Sequence, residues 1–138
     1  MTTGKVIAAA ILGVISGIAA AGSIEDLPVE VVLNGDGSGS AFGNMTSARF
    51  SDNDVELIGC GTRIIDTGGG SLFEFGFCQA TNAAEDRAFC STENPELVDA
   101  LRSISDYSFV TFSFNDLGEC TRIGLSTQSF YIPSGKAK

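Results

Sequence analysis

Histidine and tryptophan are absent from the 138-residue sequence. Without histidine the chain lacks the commonest general base and a common metal ligand of proteins. Without tryptophan, an aromatic platform for sugars is disfavoured. No serine lies in a G-x-S-x-G elbow with plausible triad partners. We therefore expect no catalytic residues, no cofactor and a protein that is not an enzyme.

One enzymatic alternative remains, a small carboxylate-dependent hydrolase of the kind that cleaves glycosides with two acids. Glu56 and Glu74 lie on neighbouring predicted strands and are candidates for such a pair. Glutamate side chains on strands more often face solvent than form a catalytic pair.

Basic residues are scarce, with eight lysines and arginines against seventeen acidic residues. The three lysines are Lys5, Lys136 and Lys138, so only arginines are basic in between. Nucleic-acid binding needs a basic patch, and an anionic membrane surface attracts basic segments. Because the chain is acidic, we expect it to bind neither nucleic acid nor an anionic membrane surface. We expect a protein partner or self-association instead.

Only one long apolar run occurs, over residues 6–21. It follows Lys5 and closes on Ala19-Ala20-Ala21, a suitable site for signal peptidase. The pattern predicts a secretory signal peptide over residues 1–21, a single domain over 22–138, and a secreted protein in the periplasm or outside the cell. The alternative is a retained membrane anchor over residues 6–22, and only then is the membrane a partner.

The rest of the sequence alternates apolar runs with turn residues, which is typical of antiparallel β proteins. One helix is predicted over residues 95–104, with Asn94 as N-cap and Pro95 as first residue. The fold class is therefore mainly β: an antiparallel sandwich or curled sheet of about seven strands with one covering α-helix. The predicted strands are residues 29–33, 41–50, 55–65, 72–80, 87–91, 107–114 and 120–132.

Two of these strands are rich in phenylalanine at alternate positions. Phe73, Phe75 and Phe77 share one face of the fourth strand, and Phe112 and Phe114 share one face of the sixth. We expect both sets to lie in a buried core. The alternative is an exposed aromatic strip that pairs with a partner or another copy.

The four cysteines are separated by 18, 12 and 30 residues, without a CxxC pair. Zinc sites and redox dithiols generally use close pairs, so both are disfavoured. An even number of cysteines behind a signal peptide predicts disulfides.

Predicted hairpins place Cys78 opposite both Cys60 and Cys90. The pairing that we favour is Cys78–Cys90 with Cys60–Cys120. The other good solution is Cys60–Cys78 with Cys90–Cys120, in which the second bond joins the two ends of the helical excursion.

A polar, glycine-rich run at residues 34–40 suggests a calcium loop, but Met45 stands where an EF-type loop requires glutamate. A loose calcium site formed by Asp36, Asp52 and Asp54 is the one remaining metal candidate, and otherwise we expect no metal.

Together these features favour an exported, non-enzymatic β-domain. Its role would be binding, surface structure or self-assembly, as in a fibre or coat subunit. Besides the hydrolase, the alternative is a membrane-anchored accessory subunit of a larger complex.

Overall fold

Residues 22–133 are described by a computed structural model, in which they form seven β-strands, two short α-helices and one 3-10 helix. The mainly β prediction is confirmed. In chain order the elements are β1 (Glu30–Leu33), β2 (Gly39–Asn44), α1 (Met45–Arg49), β3 (Leu57–Asp66), β4 (Leu72–Thr81), β5 (Arg87–Thr92), α2 (Pro95–Leu101), β6 (Ser108–Phe114), β7 (Cys120–Thr127) and the 3-10 helix Ser129–Tyr131.

The strands form two antiparallel sheets, a four-stranded sheet in the order β1-β2-β6-β7 and a three-stranded sheet in the order β3-β4-β5. Strand β6 supplies the centre of the core, because its alternate residues Val110, Phe112 and Phe114 are all buried. Apart from Ile58, the buried residues on the inner face of the three-stranded sheet are small, among them Cys78 and Ala80. Small side chains on that face let the two sheets pack closely.

The predicted strand over residues 41–50 is wrong in its second half. The chain leaves β2 at Asn44 and forms α1, because the Asn44 Oδ1 accepts a hydrogen bond from the Thr46 backbone N at 2.8 Å. An asparagine in this position is a strong helix N-cap. The predicted last strand is also too long, since β7 ends at Thr127 and a 3-10 helix follows.

Helix α2 begins as predicted but ends three residues early. The Asn94 Oδ1 accepts hydrogen bonds from the Glu96 and Leu97 backbone N atoms, which fixes the start. After Leu101 the chain continues in turns, with Ile104 N donating to Leu101 O at 3.3 Å. Bonds of this i to i−3 type tighten and end a helix.

The three-stranded sheet accommodates α2 at Gly76 of β4. A side chain at this position would collide with the buried Leu101. Next to this contact, Arg102 pairs with Glu74 and, at 3.2 Å, with Asp99. Hydrogen bonding to Glu74 is the main cause that raises the pKa of the Arg102 guanidinium. The close approach at Gly76 and the ion pair beside it place α2 against the inner side of β4.

Two disulfides close the core, and they are not the pair that we favoured. Cys60 is bonded to Cys78 and Cys90 to Cys120. The predicted registers are nevertheless right, because Cys78 lies directly opposite Cys60 on one side and Cys90 on the other. The prediction chose the wrong neighbour of Cys78.

The hydrogen-bond pattern of the sheet explains why Cys78 is bonded to Cys60 and not to Cys90. Cys60 and Cys78 form a non-hydrogen-bonded pair with a Cα–Cα distance of 4.0 Å, and side chains are closest in pairs of this kind. Cys90 lies on β5, which meets the turn before β7 through the hydrogen bond from Ser91 N to Gly118 O at 3.0 Å. Cys120 therefore comes next to Cys90, whereas Cys60 lies two strands farther away.

The predicted signal peptide over residues 1–21, and with it nearly all of the alternative anchor over 6–22, falls outside the described residues. Between Gly22 and Pro133 no helix has both the length and the apolar character that a membrane span requires.

Candidate functional site

Four phenylalanines form a continuous row on the outer side of the three-stranded sheet. We call this row, Phe73, Phe75, Phe77 and Phe89, the phenylalanine face. Neighbouring ring centroids lie 5.8, 6.4 and 6.4 Å apart, within the range of favourable aromatic contacts. The Arg63 guanidinium lies 4.8 Å from the centroid of the Phe77 ring, at the distance of a cation–π contact.

The row faces outward because the small residues of β4 face inward. Gly76 and Cys78 are buried against α2 and the other sheet, so the alternate residues Phe75 and Phe77 must lie on the opposite side. Phe75 and Phe77 are half-buried by each other and by their neighbours, while Phe89 remains 57% exposed. The expectation of a fully buried row is therefore wrong for the fourth strand, although it is confirmed for Phe112 and Phe114.

The hairpin of β3 and β4 projects beyond the rest of its sheet. The last pair between β4 and β5 is Gly76 with Thr92, whereas β3 and β4 remain paired as far as Asp66 with Leu72. We call the projecting part, residues 62–75, the hairpin arm. It exposes large apolar side chains on both of its faces, namely Ile64, Ile65, Leu72 and Phe73.

Strand β3 is also an edge strand, and its outer backbone groups can be identified. Thr67 N donates to Ser71 O at 3.0 Å, so residues at odd positions of β3 bond to β4. The N–H and C=O groups of Thr62, Ile64 and Asp66 therefore point away from β4. No strand within residues 22–133 pairs with this edge.

A groove of about 690 Å³ lies beside the hairpin arm, at the end of β5. Its apolar wall is made of Phe73, Phe75 and Phe89, and its acidic wall of Glu93 and Glu119. None of the side chains that line it in the described part of the chain is basic. The groove thus combines aromatic surface with two carboxylates.

The calcium candidate is not assembled by the fold. Asp36 lies in the turn between β1 and β2, where its Oδ1 accepts hydrogen bonds from the Ser38 backbone N at 3.0 Å and hydroxyl at 2.7 Å. The hydroxyl bond is the main cause that lowers the pKa of Asp36. Asp52 and Asp54 follow α1, beyond the other end of β2, and the three carboxylates do not converge in the described part of the chain.

Among the described residues, three potential metal ligands converge in one place only. The Sγ atoms of Cys78, Cys90 and Cys120 lie within 4.8 Å of one another. All three are in disulfides, so they offer no thiolate to a metal.

The two candidate acids of a hydrolase do not form a pair. Glu74 lies opposite Ile64, eight positions along β3 from Glu56, which corresponds to about 26 Å. Paired acids of glycosidases are within about 10 Å of each other. Both have structural partners instead, since the Glu56 carboxylate accepts a hydrogen bond from Val29 N at 3.1 Å and Glu74 pairs with Arg102.

Sequence reasoning missed the part of the site that β5 and the turn before β7 contribute. Phe89 alternates with the inward Cys90, and this alternation was a usable signal that Phe89 faces outward. Glu93 and Glu119 are 26 residues apart in sequence, and only the contact between β5 and the turn before β7 brings them to one groove.

The two disulfides are compatible with an extracellular or periplasmic location, because such bonds persist in oxidising compartments. Comparison of the chain with protein-family models, with curated proteins and with solved structures gives no match.

Proposed function

We propose that the protein is an exported, non-enzymatic β-domain that assembles with further copies of itself through the outer edge of β3, as the subunit of a fibre or coat. The observation that carries the proposal is the edge strand β3. Its residues 63–66 are exposed and include the apolar Ile64 and Ile65, and no strand within residues 22–133 pairs with its outward backbone groups. Natural proteins usually protect such an edge with lysine, proline or a covering loop, because it pairs readily with another strand. Here β3 contains neither lysine nor proline.

Charge favours a second copy at this edge over other parts of the surface. Residues 57–73, which include all of β3, contain one basic and one acidic residue, Arg63 and Asp66. The other sixteen acidic residues lie elsewhere in the chain. Two copies therefore repel each other least when they meet through β3.

The outward backbone groups define a register for the proposed pairing. Antiparallel pairing of two β3 strands places Ile64 opposite Ile64 of the second copy and Thr62 opposite Asp66, so that all three outward residues are hydrogen-bonded. The two three-stranded sheets then become one six-stranded sheet, whose outer side carries two phenylalanine faces. Contacts between these faces of successive pairs would extend the assembly.

The export part of the proposal rests on the predicted signal peptide over residues 1–21 and on the two disulfides. A domain without histidine, in which the candidate acids Glu56 and Glu74 lie far apart, suits a structural role better than a catalytic one.

The Ile64→Lys variant tests the proposed edge. We expect the molar mass of the wild-type protein in sedimentation equilibrium to rise with concentration toward that of a dimer and beyond. A lysine at the centre of the edge brings two positive charges together on the axis, so we expect association to weaken at least tenfold.

Val32→Lys is the matched control, because Val32 is also an exposed apolar residue on an edge strand, β1. This variant should associate like the wild type. A wild-type protein that stays monomeric at millimolar concentration, or an equal effect of both lysines, would contradict the proposal.

A further inference from the structure

The structure leaves an unfilled strand position beside β4. Strand β4 has ten residues and β5 has six, and the pairing of these two strands stops at Gly76 with Thr92. After Thr92 the chain turns away through Asn94 into α2. Residues 72–75 of β4 therefore have β3 on one side and, among residues 22–133, no strand on the other.

Backbone groups of β4 point into this position. Asn82 N donates to Asp86 O at 3.1 Å, so the even-numbered residues of β4 are those that bond toward β5. The same alternation directs the N–H and C=O groups of Leu72 and Glu74 to the side where β5 has ended. They continue the ladder that Gly76 and Cys78 form with β5.

The groove described above lies at this unfilled position. Phe73 and Phe75 of β4 and Phe89 of β5 provide apolar contacts on the outer side. Glu93 forms no ion pair with any residue between Gly22 and Pro133. The Glu119 Oε2 accepts a hydrogen bond from Asn115 Nδ2 at 2.7 Å, which holds this carboxylate in place.

We propose that this position binds an extended, positively charged segment of a partner protein, which adds to β4 as a strand in line with β5. Main-chain hydrogen bonds to Leu72 and Glu74 supply binding that is independent of sequence, and alternate side chains supply specificity. Side chains on the outer side of the added strand contact phenylalanine rings, and lysine or arginine on the segment pairs with Glu93 and Glu119. An acidic segment is excluded by the same two carboxylates.

This proposal goes beyond self-assembly, since it concerns the far edge of β4 and not the edge of β3. The two edges lie on opposite sides of the hairpin arm. The Ile64→Lys variant leaves the backbone groups of Leu72 and Glu74 and the side chains that line the groove unchanged, so it should bind the cationic segment like the wild type.

The test uses a fluorescent eight-residue peptide of alternating lysine and valine, titrated with the protein and followed by anisotropy. We expect saturable binding, at least tenfold weaker binding of the peptide in which glutamate replaces lysine, and similar weakening in the double variant Glu93→Gln/Glu119→Gln. Equal binding of the lysine and glutamate peptides would overturn the proposal.

A matched pair of variants at residue 72 tests the backbone contact. Leu72→Pro removes the outward N–H and is tolerated at the start of a strand, whereas Leu72→Ala removes the same apolar side chain and keeps the N–H. Proline should weaken peptide binding at least fivefold relative to alanine, and equal affinities would refute strand addition.

Two further results would assign the site differently. Loss of binding in Ile64→Lys would mean that the peptide uses the β3 edge, which overturns this proposal and leaves self-assembly standing. If the Ile64→Lys protein itself associates in sedimentation equilibrium and excess peptide dissociates that assembly, a second copy is the occupant, which would equally overturn the proposal.

Discussion

Replacing Phe112 by alanine is expected to destabilise the protein by about 3–5 kcal/mol. Phe112 is fully buried in the middle of β6, between β2 and β7, and its ring lies 6.4 Å from that of Phe114. Truncation removes the largest of the fully buried side chains and leaves a cavity between the two sheets. Urea unfolding followed by circular dichroism measures the loss.

Phe89→Ala is the control for this substitution, because it removes the same side chain from the exposed phenylalanine face. Phe89 is 57% exposed, so we expect a loss of no more than about 1 kcal/mol. Similar losses for the two variants would show that the three-stranded sheet buries the side of β4 and β5 that the structure places outside.

Removing the Cys90–Cys120 bond is expected to cost about 4 kcal/mol, and removing Cys60–Cys78 about 3 kcal/mol. The estimate follows from the chain lengths that the bonds close, with sequence separations of 30 and 18 residues. The Cys90–Cys120 bond also joins the two sheets, whereas the Cys60–Cys78 bond lies within a hairpin that ten residue pairs already hold together. The double variants Cys90→Ala/Cys120→Ala and Cys60→Ala/Cys78→Ala are to be compared by urea unfolding, and a larger loss for the second would contradict this ranking.

Tryptic digestion without reductant provides the control on connectivity, because each cysteine lies in a different peptide. Cleavage after arginine gives residues 50–63, 64–87, 88–102 and 103–122. We expect the first to be linked to the second and the third to the fourth. Linkage of 64–87 to 88–102 would instead support the pairing that sequence reasoning favoured.

The sequence predicted the strands and the two registers of the three-stranded sheet, because period-two alternation and turn residues are local signals. Cys78 was correctly placed opposite both Cys60 and Cys90. The start of α2 was equally predictable, since Asn94 and Pro95 carry local capping signals.

Features that depend on distant contacts were not predictable in the same way. Alternation shows that the phenylalanines of β4 share a face, but it does not show whether that face is buried or exposed. The answer depends on α2, which packs on the opposite face of β4 through the contact of Leu101 with Gly76. The disulfide partner of Cys78 likewise depends on the position of Cys120 in the other sheet. Helix α1 was missed although Asn44 is a good N-cap, because the apolar residues before it continue a strand pattern.

Amide hydrogen exchange of β3, measured by NMR at low and at high protein concentration, tests the proposed assembly most directly. The amides of Thr62 and Ile64 face the open edge, whereas those of Gly61 and Arg63 bond to β4. We predict that the first two exchange fast in dilute protein and become protected as concentration rises, while the second two are protected throughout. Edge amides that exchange equally fast at both concentrations, in a sample that does associate, would contradict assembly through β3.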